Sequence, residues 1–143
     1  MFSKACEYAI KAAIYVAKQS LQKELVNVKQ VAQSIDAPVP FTAKILQQLN
    51  RVNILESVRG KHGGFAFAED RQKETLIFDL VTLFDGDGLF TNCGLGLSKC
   101  SSENPCPVHD DFKIVRDNLE AMTRKYSFYD LAVKTENGLA WLK

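Results

Sequence analysis

The chain has 143 residues, 46% of them apolar and 24% charged, which suits one domain with a buried core and excludes an enzyme with a separate cofactor domain. Glycine (8) and proline (4) are sparse, which excludes collagen-like and low-complexity chains. Taken whole, the formal net charge of +1 argues against a polyanion binder.

The charge is unevenly spread. Residues 1–37 carry 5 basic and 3 acidic side chains and residues 38–75 carry 6 and 4, whereas residues 76–143 carry 7 and 10. A basic first half followed by an acidic second half permits a nucleic-acid face on the first. The longest apolar stretch, residues 12–17, falls far short of the roughly 18 apolar residues of a membrane span. No secretory signal opens the chain, so a cytoplasmic setting with no membrane partner is expected. In that reducing setting the four cysteines read as ligands or reactive thiols before disulfides.

In chain order, residues 3–20 are predicted helical, with Ala5, Ala9, Ala12, Ala13, Val16 and Ala17 at three- and four-residue steps. Cys6 lies beside them and reads as core rather than ligand. A second, short helix begins at Asn27, the N-cap, with Gln30 closing a capping box and Val28, Val31, Ala32 and Ile35 as its stripe. The segment 36–40 then breaks the chain, because a residue before proline avoids the helical region. A third helix over about 41–52 turns Phe41, Ile45, Leu46, Leu49 and Val52 inward, leaves Thr42, Lys44, Gln47, Gln48 and Arg51 outside, and ends on a left-handed Asn53. Strands over 54–59 and 65–68 flank the glycine-rich turn Gly60-Lys61-His62-Gly63-Gly64.

The second half holds a short helix near 75–84, an irregular stretch over 85–105 and a long amphipathic helix over about 107–125 marked by Phe112, Val115, Leu119 and Met122. Ser127, with Asp130 three residues on, opens one more short helix. The expected fold is mostly α with a small β-hairpin wing. A winged helix-turn-helix occupies residues 1–75, and a Cys-rich ligand loop with the long helix occupies 76–143.

Two constellations carry chemistry. The third helix offers Thr42, Lys44, Gln47, Gln48 and Arg51 to base edges and phosphates, and Arg59 and Lys61 flank a hairpin tip suited to the backbone or the minor groove of double-stranded DNA. The alternative for each residue singly is a solvated surface. The second constellation is Cys93, Cys100, Cys106 and His109, spaced C-x6-C-x5-C-x2-H. Three thiolates and an imidazole suit a small iron–sulfur cluster or a tetrahedral zinc, and spacing alone does not choose between them. His109 near a helix N-terminus is expected to stay neutral and able to ligate. No phosphate loop, HExxH or nucleophile elbow is present, so no enzyme is expected.

The Tyr8-Ala9 helix, the segment Ser57-Val58-Arg59-Gly60-Lys61-His62-Gly63-Gly64-Phe65, the Cys93/Cys100/Cys106 triplet and the closing Asp130-Leu131-Ala132 together resemble the Rrf2 family of bacterial transcription regulators, the family of IscR-like and NsrR-like sensors. The resemblance covers nearly the whole chain. It implies a homodimeric winged-helix repressor or activator whose long helix pairs with its twin. It further implies a redox- or gas-sensitive iron–sulfur cluster on Cys93, Cys100 and Cys106, with Arg59 as a minor-groove contact. His109 matches the fourth ligand of two-iron members, which favours a two-iron over a four-iron cluster. In four-iron members an acidic residue of the partner's first helix serves instead, near the position of Glu7. The first Cys interval is one residue longer than in IscR-like members, Ala43 stands where those carry a glutamate, and Pro38-Val39-Pro40 replaces a serine-rich helix start.

The expected function is thus a DNA-binding regulator sensing redox, iron–sulfur status or nitric oxide. Its competitors are a zinc-bound or thiol-based regulator without a cluster and, from another class, a redox or metal-handling protein that uses the winged helix for protein contacts.

Overall fold

Ser3 opens the first helix: its side chain accepts a hydrogen bond from the Cys6 amide, and α1 runs over Lys4–Leu21. Its buried side is almost all small, with Ala9, Ala12, Ala13 and Ala17 admitting close neighbours. The computed structural model describes all 143 residues. Helix α2 (Val28–Ile35) starts in the capping box expected of Asn27 and Gln30, with both reciprocal bonds at 2.9 Å. Asp36 leaves it in the left-handed conformation.

Helix α3 (Val39–Arg51) begins two residues before the predicted start. Proline is tolerated in a first helical turn, where its missing N–H has no intrahelical acceptor, so Pro40 falls inside the helix and Pro38 caps it. The inward stripe corrects accordingly to Thr42, Ile45, Leu46 and Leu49, while Phe41 and Val52 are exposed. Val52 and a left-handed Asn53 (φ 61°) end the helix as expected.

Strands β1 (Glu56–Val58) and β2 (Gly64–Ala66) form the antiparallel wing, pairing Glu56 with Ala66 and Val58 with Gly64. Val26, just ahead of α2, bridges to Phe65 on the other side of β2, tying the wing to the helix pair. Gly64 must be glycine: its φ is +156°, and a Cβ there would lie 2.6 Å from the Val26 carbonyl oxygen.

Helix α4 (Glu69–Glu74) escapes the sequence pattern because it has no apolar stripe. It buries Gln72 instead, whose amide donates to the Ala17 carbonyl (3.2 Å) and the Phe67 carbonyl (2.7 Å), pinning α4 to the end of α1 and the exit of the wing. Helices α5 (Ile77–Asp85), the short α6 (Gly88–Thr91), α7 (His109–Lys125) and α8 (Phe128–Glu136) follow. The Ser127–Asp130 capping box opens α8 as expected.

The main core of 18 buried residues joins α1, α2, α3 and the wing, and it continues past residue 75 to take in Leu80, Phe128 and Ala132. A smaller core of Cys6, Ile77, Val81 and Phe90 lies where α1, α5 and α6 meet, with Leu119 of α7 packed against it. No helix is long and apolar enough to cross a membrane.

Candidate functional site

The first site is the face formed by α3 and the wing. Lys44, Gln47, Arg51, Arg59 and Lys61 are exposed and Gln48 is half-buried. Thr42 is a correction: it is fully buried, and its hydroxyl donates to the Pro38 carbonyl at 2.9 Å, so it has nothing to offer a nucleic acid. A polar residue followed by apolar ones three, four and seven positions on is what the buried stripe of this helix looks like, and Thr42 fills its first place.

Every ion pair in the chain involves other residues, so Lys44, Arg51, Arg59 and Lys61 remain unopposed cations on one architecture. Lys29, exposed and unpaired in the first turn of α2, joins them, since the Val26–Phe65 bridge sets that turn beside the wing. Sequence reading passed over Lys29. Its signal was a lysine with no acidic neighbour at helical spacing. Phe41 packs edge-on against Tyr8 of α1 (centroids 5.7 Å apart), which fixes the start of α3 to α1.

The second site is the loop between α6 and α7. Cys93 is buried, Cys100 and Cys106 are half-buried, and His109 is buried as the first residue of α7. The Cys93 thiol is held below its ordinary value: the backbone amides of Leu97 and Leu95 aim at its sulfur, and Cys106 and Arg116 add to them, against the burial that raises it. Cys100 Sγ lies 3.3 Å from His109 Nδ1. The donors are therefore associated two and two, Cys93 with Cys106 and Cys100 with His109. No three of the chain's His, Cys, Asp and Glu side chains form a ready-made metal cradle.

Gly94 allows the close approach of this loop to α7, because a Cβ there would meet the Phe112 ring at 2.5 Å. Arg116, a residue that sequence reading missed, donates to the Asn92 carbonyl (2.6 Å) and to Cys100 Sγ (3.2 Å). Its position two helical turns after His109 on the predicted long helix was the available signal.

Glu7 pairs with Lys4 of its own helix at 3.1 Å. Cys6 is wholly buried in the smaller core, and burial, aided by the Asp85 carboxylate, pushes its thiol up to about 12, so it stays protonated and inert. Asp85, the last residue of α5, accepts the Ser3 amide (2.8 Å) and the Ser3 hydroxyl. A carboxylate at the end of α5 thus sits at the positive end of α1.

A two-helix reading unit, a β-hairpin wing with free cations and an appended long helix beside a cysteine loop define a winged helix-turn-helix protein. Residues 2–134 match the family model Rrf2, described as an iron-dependent transcriptional regulator, and the chain belongs to that family of transcription regulators. Among its relatives is a protein of Aquifex aeolicus named as an HTH-type transcriptional regulator, 32% identical over 133 residues, or 92% of this chain and 90% of that one. NsrR of Oceanobacillus iheyensis is 23% identical over 96% of this chain and 92% of its own. Among solved structures, CymR, the global cysteine regulator of B. subtilis, is similar in fold (TM-score 0.74, 16% identity, 93% of this chain and 96% of that chain). IscR of T. potens is similar as well (TM-score 0.72, 16% identity, 98% and 91%).

Proposed function

We propose that the chain is a homodimeric, cytoplasmic, DNA-binding transcription regulator. It senses redox state, iron–sulfur status or nitric oxide through an iron–sulfur cluster held by Cys93, Cys100, Cys106 and His109. The observation that carries this reading is that the cysteine loop and an uncovered apolar seam share one helix. Helix α7 begins at His109 and reaches Cys100 through Arg116, and along the same rod Phe112, Val115 and Met122 lie exposed at coiled-coil spacing, with Leu119 between them only partly covered. A change in the loop therefore acts on the surface expected to set the spacing of two recognition helices. Coupling of this kind is typically worth about 1–3 kcal/mol.

The donor set fits the group. Cys93 is already stabilised toward the thiolate that ligation requires, His109 lies against Cys100, and amides face a sulfur, as they do around iron–sulfur clusters. When bound, such a cluster supplies one-electron redox chemistry and reactivity toward nitric oxide. The chain's own part is to hold the thiolates, keep His109 oriented and shield Cys93 from water. Glu7 supplied by a second copy is the alternative fourth ligand.

On the DNA side, Lys44, Gln47, Gln48 and Arg51 are assigned to the major groove, and Arg59, Lys61 and Lys29 to the wing and the flanking backbone. Repression is the expected mode, the one named for the NsrR relative of Streptomyces coelicolor.

One observation favours a second reading. A Cys93 thiol lowered by two amides with Cys106 beside it also suits a peroxide-sensitive pair in a thiol-based regulator. Capture of genomic DNA fragments by the anaerobically prepared protein, repeated after chelation and after mild peroxide, tests the reading. Enrichment of a common sequence that chelation changes supports it. Capture altered only by peroxide supports the thiol reading, and no enrichment at all contradicts DNA regulation by this chain.

A further inference from the structure

The guanidinium of Arg116 has three sides, and the structure accounts for two. One N–H donates to the Asn92 carbonyl at 2.6 Å and a second to Cys100 Sγ at 3.2 Å. These two acceptors stand at the two ends of the segment 92–100, so one side chain of α7 ties both ends of the loop to the helix. The third donor, Nε–H, is buried with no acceptor. An unmet buried donor carries the full desolvation penalty of the group, and native proteins keep such donors where a ligand or water completes them. A guanidinium stays charged and spreads its donors over three nitrogens in a rigid planar fork, whereas a lysine carries all of its donors on one nitrogen and could not span the same acceptors.

Resting on the cluster reading above, we infer that Arg116 is a positioning residue that staples the cysteine loop to α7 and keeps its third N–H for the anionic, thiolate-ligated group the loop carries. Two consequences separate. The staple acts before any metal arrives, because both of its bonds exist in the protein alone. The charge acts after loading: a fixed cation beside a cluster favours the reduced state, which carries one more negative charge.

The variants Arg116→Gln and Arg116→Lys test this together. In the metal-free protein, amide hydrogen exchange over residues 93–97 is expected to quicken at least tenfold in Arg116→Gln and less in Arg116→Lys, with exchange in α3 unchanged. In protein loaded with iron and sulfide, Arg116→Gln is expected to lower the reduced-to-oxidised ratio at fixed potential about tenfold, about 59 mV for a one-electron couple. Arg116→Lys is expected to keep most of the wild-type potential because it keeps the charge. Loop exchange within twofold of wild type in both variants overturns the staple, and an unmoved potential in Arg116→Gln overturns the charge role. A wild-type chain that takes up no iron and sulfide defeats the cluster reading alone, while the metal-free exchange still decides whether Arg116 anchors the loop.

Discussion

Helices α3 and α7 are comparable rods of 13 and 17 residues, yet the molecule treats them oppositely. Helix α3 buries Thr42, Ile45, Leu46 and Leu49 in the main core and shows polar groups outward. Helix α7 buries only His109 and Thr123, while Ile114 and Val115 remain 60% and 59% exposed. The chain leaves Ile114 and Val115 of α7 more open than any apolar residue of α3, whose buried stripe is complete within one copy. Helix α3 is therefore held by the fold of one copy, and in the proposed reading α7 is completed by a second copy and by the group its loop would hold.

The sharpest way to test that contrast is to truncate one side chain on each rod. Leu49→Ala is expected to cost about 2–5 kcal/mol of unfolding free energy, because Leu49 is fully enclosed. Val115→Ala is expected to stay within about 0.5 kcal/mol for the isolated chain, as surface changes do. Denaturant unfolding of both variants at low protein concentration checks this, and equal losses would erase the distinction.

A charge on the seam should instead act through assembly. Val115→Glu is expected to convert a two-chain species to one chain in sedimentation and to weaken DNA binding at least about 100-fold, or about 2.8 kcal/mol, at 1.4 kcal/mol per factor of ten. An unchanged mass would remove α7 from the dimer surface.

Asp85 ends α5 and holds the first turn of α1 through Ser3, so it joins the second half of the chain to the first. Asp85→Asn removes the carboxylate from a helix N-terminus and is expected to cost about 1 kcal/mol. Thermal unfolding reads this as a lowering of about 2–4 °C. No shift would mean that Asp85 does not join the regions energetically.

The smallest effect concerns the wing. Arg59→Ala is expected to weaken binding to all DNA sequences alike and to reduce the log–log salt slope by about 0.9, the value for one phosphate left unneutralised. Binding isotherms at several salt concentrations check it, and an unchanged slope takes Arg59 off the phosphate backbone.

What the amino-acid sequence made legible follows the same division. Short-range signals worked wherever one local rule dominated: the Asn27–Gln30 and Ser127–Asp130 capping boxes and the left-handed Asn53 stand as expected, and the wing forms with shorter strands than expected, 56–58 and 64–66, Gly64 pairing within the second. Apolar periodicity misled where a polar group does a core residue's work. Thr42 occupies the buried stripe by bonding back to Pro38, and Gln72 anchors a helix that has no apolar face. Helix α6, at four residues, is too short for any period to show.

In the candidate site, spacing alone proposes the donors Cys93, Cys100, Cys106 and His109, and the structure brings them together in two pairs. Their pairing was not legible, since it depends on loop amides turning toward Cys93 and on Arg116 arriving from a helix 16 residues beyond Cys100. Helical spacing from His109 puts Arg116 on the same face of α7, but which loop atoms it meets is set by the fold and not by that spacing.

In the proposed reading, the loop on α7 carries an iron–sulfur group, and this makes the regulator a sensor. Iron and acid-labile sulfide per chain, measured on protein purified without oxygen, test it most directly. The expected result is a coloured protein with about two irons and two sulfides per chain, as a two-iron cluster requires. A colourless protein with one zinc per chain, no labile sulfide and undiminished specific DNA binding would contradict it.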